Sequence, residues 1–253
     1  MFLPAERRLD GELVFHYDAS LALTRLSAPR TDGLRGRPGV VIGQLGQSLD
    51  GRIATPTGAS KYINGREALT HLHRLRASVD AVVVGIGTAL ADNPRLTCRH
   101  VEGAHPVRVV IDPRGRLAPG LDMLSDGAAP VLVITRPGVA VPPGAEAVAI
   151  EPDARGHLAP ERIVDALADR GLVRLLIEGG AETLARFMDA GVMDELHLML
   201  APIVLGSGKT GLNLAPICGL DEALRPRVRT MRFDDGDMLC VCEFEPQEVP
   251  AAG

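Results

Sequence analysis

The chain has 253 residues, and its 27 Lys and Arg against 32 Asp and Glu give a formal net charge of −5. This acidic balance argues against a nucleic-acid scaffold and against binding to anionic membranes, because both need a basic surface. Aromatic residues make up 3% of the chain and Trp is absent, which argues against a surface that stacks sugars or bases.

Residues 1–38 are irregular in pattern and end in a stretch rich in Gly, Pro and Arg. This composition predicts an N-terminal extension over 1–38, followed by one domain over 39–253. From Val40 onward, short β-branched runs alternate with helical stretches. The predicted strands are Val40–Gly46, Ala81–Gly85, Val107–Asp112, Val131–Thr135, Ala147–Ile150, Val173–Ile177, Glu195–Ala201 and Met238–Phe244.

Three helices are predicted between these strands. The first is capped by Asn64 and runs to Arg76, the second begins at Pro160 and stops before Gly171, and the third covers 183–190. The alternation predicts an α/β fold, a three-layer α/β/α domain around a mainly parallel sheet. No helix is predicted between the last two strands, so we expect them to pair antiparallel.

The cysteines and histidines show no metal-site spacing. The four cysteines are Cys98, Cys218, Cys240 and Cys242, and no two form a C-x-x-C pair. His100-Val-Glu102 matches half of a zinc-deaminase motif, but the P-C-x-x-C half is absent. The first residues lack the apolar stretch typical of a signal peptide, and no apolar run approaches 18 residues. The sequence therefore predicts reduced thiols, no metal and a cytoplasmic protein.

Two glycine-rich segments imitate nucleotide motifs. Gly85-Ile-Gly87 follows a predicted strand, but Leu90 replaces the third glycine of a dinucleotide fingerprint. It is either a nucleotide-binding turn or a strand-to-helix turn of small residues, and the pattern favours the second. The segment 206–210 imitates a P-loop but has Ile203 in place of the first glycine and no predicted helix after it. An ATP-binding protein that depends on Lys209 is therefore the less favoured hypothesis.

Two polar segments follow predicted strands. Glu178 ends a buried strand, and Gly179 and Gly180 then open a helix, whose free N–H groups suit an anion. In this interpretation Glu178 is an unpaired acid at the strand end, where open α/β sheets bind ligands. Alternatively, Glu178 is only solvated at the rim and the glycines only make a turn. The segment 92–99 ends in Arg99, a donor suited to phosphate, or is a solvated loop.

The ordered motifs together resemble the reductase domain of riboflavin biosynthesis (the RibD C-terminal family). They are found at residues 48–54, 58–60, 75–77, 84–88, 90–97, 111–113, 177–180, 191–196 and 201–206. The resemblance covers about residues 40–245 and implies a dihydrofolate-reductase-like fold. It also implies a stand-alone reductase without the deaminase domain that many bacteria fuse to it.

The resemblance implies that NADPH reduces the ribosylamino group of a 5-aminouracil ribose phosphate. The substrate would contact Gln44, Ser60, Arg76, Leu96, Arg99 and Glu178. The cofactor would contact Gly46, Tyr62, Thr88, Asp92, Pro113, Arg114, Gly179, Gly180, Ala181, Glu182 and Thr183. Arg114 and Arg136 are candidates for the 2′-phosphate of NADPH, whereas Asp112 at a strand end would suit the ribose of NADH.

Three further expectations concern the substrate, the proton donor and the oligomeric state. Gln44 stands where fused members of the family usually carry Lys, so a pterin, dihydrofolate or another pyrimidine is the alternative substrate. No general acid is identified; a bound water, Asp92 or the substrate's own groups would supply the proton. By analogy we expect a homodimer, paired through an exposed run of Leu198, Met199 and Ile203 near a sheet edge.

Overall fold

A computed structural model describes residues 6–9, 12–15, 17–27 and 39–244 of the chain. The strands are β1 (Glu6–Leu9), β2 (Glu12–Phe15), β3 (Val40–Ser48), β4 (Arg52–Ala54), β5 (Ala81–Gly85), β6 (Val107–Ile111), β7 (Val131–Thr135), β8 (Glu146–Ala149), β9 (Arg174–Glu178), β10 (Glu195–Ala201), β11 (Lys209–Thr210), β12 (Arg227–Arg232) and β13 (Met238–Glu243). The helices are α1 (Ala19–Ala22), α2 (Thr24–Ser27), α3 (Arg66–Ser78), α4 (Ile86–Asp92), α5 (Asp122–Ser125), α6 (Pro160–Ala168) and α7 (Ala181–Asp189).

The domain is built on a nine-stranded sheet in the order β12-β13-β10-β3-β9-β5-β6-β7-β8. The run from β10 to β8 is parallel throughout. β13 pairs antiparallel with β10, and β12 pairs antiparallel with β13. The predicted fold class and the antiparallel return are therefore confirmed. All eight predicted strands are present, with ends within two residues of those expected.

Helices cover both faces of the sheet. The interior strands alternate between two apolar clusters, one with α6 and α7 and the other with α3 and α4. Val83 of β5 belongs to the first and Val82 and Val84 to the second, and all three are almost completely buried. The continuous apolar runs read from the sequence are thus strands with two buried faces.

The N-terminal segment departs from the irregular pattern expected of it. Its described residues include the antiparallel pair β1–β2 and the short helices α1 and α2. Residues 17–27 lie on the domain: Ala22 and Leu26 are buried in its apolar clusters. The Tyr17 N–H also donates to the Arg232 carbonyl at 2.9 Å. Residues 28–38 and 245–253 lie outside the described part of the chain.

Helix α3 is capped from another part of the chain, not by Asn64 as predicted. The residue before its first turn is Gly65, whose N–H donates to Asp237 Oδ2 at 2.7 Å. The Glu67 N–H donates to Asp235 Oδ2 at 3.1 Å. Asn64 instead donates its side-chain amide to Asp237 Oδ2 at 3.2 Å. Carboxylates beside free N–H groups stabilise a helix start, so the β12–β13 turn fixes where α3 begins.

The prediction that Leu198 and Met199 lie at an exposed sheet edge, where a second copy would pair, is also wrong. Leu198 and Met199 belong to β10, which is paired on both sides, and Met199 is buried. An interior strand has no free edge to offer to a second copy. Ile203 follows β10 and is exposed.

Candidate active site

Three buried polar side chains form a row across the parallel sheet. Gln44 of β3 is in register with Glu178 of β9 on one side and with His197 of β10 on the other. Register partners in a parallel sheet point to the same face. Helix α3 covers that face, because Arg76 contacts Glu178 and His71 contacts His197. The predicted substrate residues Gln44, Arg76 and Glu178 are therefore brought together.

Arg76 and Glu178 form a buried ion pair. Arg76 Nε and Nη2 each donate to one carboxylate oxygen of Glu178, both at 2.6 Å. Burial alone would lower the pKa of Arg76, but the carboxylate outweighs it and raises that pKa. Glu178 is 6% exposed, so the prediction of an unpaired acid and the alternative of a solvated rim residue are both wrong.

The loop after α4 carries Arg99 to this pair. Arg76 Nη1 donates to the Thr97 carbonyl at 3.1 Å, which ties the loop to α3. Leu96 is buried with a φ of 55°, so this part is not a solvated loop. Arg99 is exposed, and its Nη1 donates to Thr97 Oγ1 at 3.2 Å. Burial and then the charge of Arg76 lower the pKa of Arg99, which is consistent with two cations close to each other.

Two strand-end turns meet beside this site. Gly179, with a φ of 80°, lies so close to Thr88 that an added Cβ would come within 2.9 Å of the threonine methyl. In return, a Cβ on Gly85 would come within 2.5 Å of Thr183 Oγ1. Helix α7 then begins after Gly180 with no side-chain cap. The β5–α4 and β9–α7 turns thus face each other and leave backbone N–H groups of a helix start for an anion.

Apart from Gly46, the other predicted cofactor residues and the predicted substrate residue Ser60 lie in segments that follow strands. Asp92 ends α4, Pro113 and Arg114 follow β6, and Ser60 and Tyr62 lie in the exposed connection from β4 to α3. At Gly46 on β3, a Cβ would overlap the Asn64 side-chain oxygen. The carboxyl ends of parallel strands are where open α/β sheets bind ligands.

The carboxylate of Asp112 accepts hydrogen bonds from the loop that follows it. It is fully buried, its Oδ2 accepts from the Leu117 N–H at 2.7 Å, and its Oδ1 accepts from the Arg114 N–H at 3.4 Å. The alternative in which Asp112 reads the ribose of NADH therefore loses support. Arg114 is exposed, whereas the guanidinium of Arg136 donates to the Gly156 carbonyl.

The P-loop-like segment forms a strand pair. Lys209–Thr210 is β11, antiparallel to β4. A Cβ on Gly208 would overlap the Ala54 carbonyl, so this glycine permits two backbones to approach. Since no helix start follows Lys209, the segment lacks a phosphate cradle.

Further absences concern only the described residues. They contain no group of three or more His, Cys, Asp or Glu placed to hold a metal ion. All four cysteines are free thiols. In the same part of the chain, no helix is both long enough and apolar enough to cross a membrane.

Sequence reasoning missed the buried histidines on this face. His71, His73 and His197 are each less than 4% exposed. His71 and His73 lie two residues apart on α3, a spacing that points their rings in different directions, and they contact different partners. The available signal was a polar ring inside the apolar strand Glu195–Ala201.

Residues 40–231 match the model of the RibD C-terminal domain family. A 2,5-diamino-6-ribosylamino-4(3H)-pyrimidinone 5′-phosphate reductase of Methanothermobacter thermautotrophicus is 38% identical over 196 residues, or 74% of this chain and 87% of that protein. Riboflavin biosynthesis protein RibD of Bacillus amyloliquefaciens is 38% identical over 179 residues, which is 68% of this chain but 47% of that protein. The chain spans about half the length of such RibD proteins.

A solved structure whose name includes a deaminase and a reductase activity has a similar fold. It is the Thermotoga maritima diaminohydroxyphosphoribosylaminopyrimidine deaminase/5-amino-6-(5-phosphoribosylamino)uracil reductase, with a TM-score of 0.68 and 29% identity. The match covers 82% of this chain and 57% of that one.

Proposed function

The chain belongs to the RibD C-terminal domain family, and from this we propose that it is an NADPH-dependent reductase of 5-amino-6-(5-phosphoribosylamino)uracil in riboflavin biosynthesis. The name of the Methanothermobacter relative supports a second candidate substrate, the 2,5-diaminopyrimidinone, which carries an amino group where uracil carries an oxygen. A role in biosynthesis fits the expected cytoplasmic location. The predicted homodimer rests on the resemblance.

The contact between the two glycine turns is the observation that carries the cofactor assignment. Gly179 and Gly180 leave a cradle against Thr88 that side chains would fill, and the uncapped start of α7 opens into it. Such a helix start suits the pyrophosphate of a dinucleotide. The buried Asp112 and the exposed Arg114 support NADPH over NADH, because Arg114 is free to take a 2′-phosphate.

The ion pair of Arg76 and Glu178 would hold the pyrimidine ring. Each oxygen of Glu178 accepts one hydrogen bond from Arg76 and keeps a lone pair. These lone pairs would accept from pyrimidine N–H groups, while Arg76 keeps the buried carboxylate charged and in place. Gln44, in register with Glu178, would add a neutral amide donor and acceptor. Arg99 would take the sugar phosphate as a bidentate donor.

The task of the side chains would be to align the substrate with the cofactor. When bound, a reduced nicotinamide would supply the hydride, here to the imine carbon of the ring-opened ribosylamine, while the imine nitrogen would take up one proton. The buried Gln44 and Glu178, which are neighbours in the sheet, and Arg76 of α3 would fix the ring to which that carbon is attached. Asp92 at the end of α4, a water or the substrate itself would supply the proton.

NADPH oxidation with each of the two substrates tests this function. We expect turnover by the wild-type protein and its loss in Glu178→Ala. Glu146→Ala is the matched control, because Glu146 also forms an ion pair, with Arg170, but on the exposed β8. If the protein binds NADPH but turns over neither pyrimidine, the substrate assignment is refuted. If it binds neither NADPH nor NADH, the cofactor assignment is refuted as well.

A further inference from the structure

The loop that carries Arg99 is held to α3 at two points, one helical turn apart. Arg76 Nη1 donates to the Thr97 carbonyl at 3.1 Å. Three residues earlier on the helix, His73 Nδ1 accepts from the Arg99 N–H at 3.0 Å. Residues three apart on a helix lie on one face. The His73 bond fixes the backbone of the residue whose guanidinium is exposed beside the ion pair.

His73 is in the state that this contact needs. Its side chain is buried, and that burial, followed by the charge of Arg76, lowers the pKa of His73 to about 3. The imidazole is therefore neutral at physiological pH, and Nδ1 keeps the lone pair that accepts the N–H of Arg99. The ring of His100 lies against that of His73, with ring centroids 4.5 Å apart.

Without this acceptor, the Arg99 backbone would lose its bond to the helix. The Arg99 side chain has one described partner, Thr97 Oγ1, which lies on the same loop. Among the described residues, the His73 bond is the one direct hydrogen bond between Arg99 and α3. A flexible cation costs more entropy to order around an anion than one already held in place.

We propose that His73 is a positioning residue that holds Arg99 ready for the 5′-phosphate of the substrate. This inference rests on the proposed function for the identity of the anion. It assigns a role in phosphate recognition to a side chain that does not itself face the ligand. The alternative is that His73 only fills space under the loop.

Two variants separate the acceptor from the ring. His73→Phe keeps an aromatic ring but has no acceptor, whereas His73→Asn loses the ring but places Oδ1 where Nδ1 was. We expect His73→Phe to weaken binding of ribose 5-phosphate, measured by calorimetry, about tenfold, and His73→Asn to bind within about twofold of wild type. Leu75→Ala is the control, since Leu75 is a buried residue of the same helix.

Kinetics give the second readout. With the phosphorylated pyrimidine, His73→Phe should raise KM about tenfold and leave kcat within about twofold, while turnover of the dephosphorylated analogue stays unchanged. Leu75→Ala should lower stability but keep the preference for the phosphorylated substrate. In an Arg99→Ala background, His73→Phe should have no further effect on that preference.

The results that would overturn the proposal are distinct from failure of the proposed function. Unchanged ribose 5-phosphate binding in His73→Phe, or an equal loss for both substrates, would leave His73 a space-filling residue. No ribose 5-phosphate binding by wild type would also overturn it. Should His73→Phe not fold, His73→Gln, which moves the acceptor by one bond, must show the weakened binding. Absence of turnover by wild type refutes the reductase function, whereas the calorimetry still decides the role of His73.

Discussion

His71 Nε2 and His197 Nδ1 share a hydrogen bond of 2.8 Å, and their rings stack with centroids 5.0 Å apart. The contact extends in both directions: the Tyr17 hydroxyl lies 2.8 Å from His71 Nδ1, and His197 Nε2 lies 2.5 Å from Glu195 Oε1. Because a carboxylate oxygen accepts, the three contacts fit one donor order, from Tyr17 through His71 and His197 to Glu195. This buried polar chain joins the N-terminal segment to α3 and β10.

Loss of the Tyr17 hydroxyl should destabilise the protein. Tyr17→Phe leaves the buried His71 Nδ1 without its donor, so we expect a loss of about 1–3 kcal/mol in the free energy of unfolding. Tyr62→Phe is the control, because Tyr62 is 79% exposed and its loss should cost less than about 0.5 kcal/mol. Urea denaturation measures both, and equal stabilities of the two variants would contradict the role of Tyr17.

Stability should fall as the pH is lowered through 6.5. Burial lowers the pKa of His71 well below 6.5 and that of His73 to about 3. Below pH 6.5 the unfolded chain binds protons at both histidines and the folded protein does not, so each costs up to about 1.4 kcal/mol per pH unit. We expect the free energy of unfolding to be about 2–4 kcal/mol lower at pH 5 than at pH 7.5.

Urea denaturation at the two pH values, repeated on two variants, assigns that loss. His71→Gln should reduce the pH dependence, and His157→Asn, at an exposed histidine, should leave it unchanged. An unchanged pH dependence in His71→Gln would show that His71 is not the source.

Removing one partner of the Arg76–Glu178 pair should cost more than removing both. Glu178→Ala leaves a buried guanidinium without its counter-charge, which costs about 3–5 kcal/mol. Arg76→Met together with Glu178→Leu removes both charges and should recover most of that loss. Thermal unfolding of the two proteins checks this, with Glu146→Ala as the exposed control. A double variant less stable than Glu178→Ala would contradict it.

Arg114 should set the preference between the two dinucleotides. Arg114→Ala should raise the Kd of NADPH about tenfold through the lost phosphate contact and leave the Kd of NADH unchanged. Arg227→Ala, on the exposed strand at the far end of the sheet from β8, is the control and should alter neither. Fluorescence titration with both dinucleotides measures this, and equal weakening of both would remove Arg114 from the 2′-phosphate site.

The sequence predicted the interior strands well because burial on both faces leaves a continuous apolar run. β12 escaped detection because its Arg227, Arg229 and Arg232 are typical of an exposed segment, yet the strand is held by pairing with β13. Arg76 and Glu178 were each assigned to the site, but their pairing spans 102 residues and depends on the sheet order that puts β9 beneath α3. Local patterns contain no information of that kind.

The two tyrosines of this chain, which has no Trp, occupy unlike surroundings. Tyr17 lies among rings, with its centroid 4.5 Å from that of Phe233, and Tyr62 is exposed at the edge assigned to the cofactor. The tyrosine fluorescence of the native protein therefore comes from Tyr17 and Tyr62, and replacing either one by Phe removes its contribution. Tyr17 would report whether the N-terminal segment is packed on the domain. Tyr62 would report whether the cofactor is bound, and no Trp fluorescence would mask either signal.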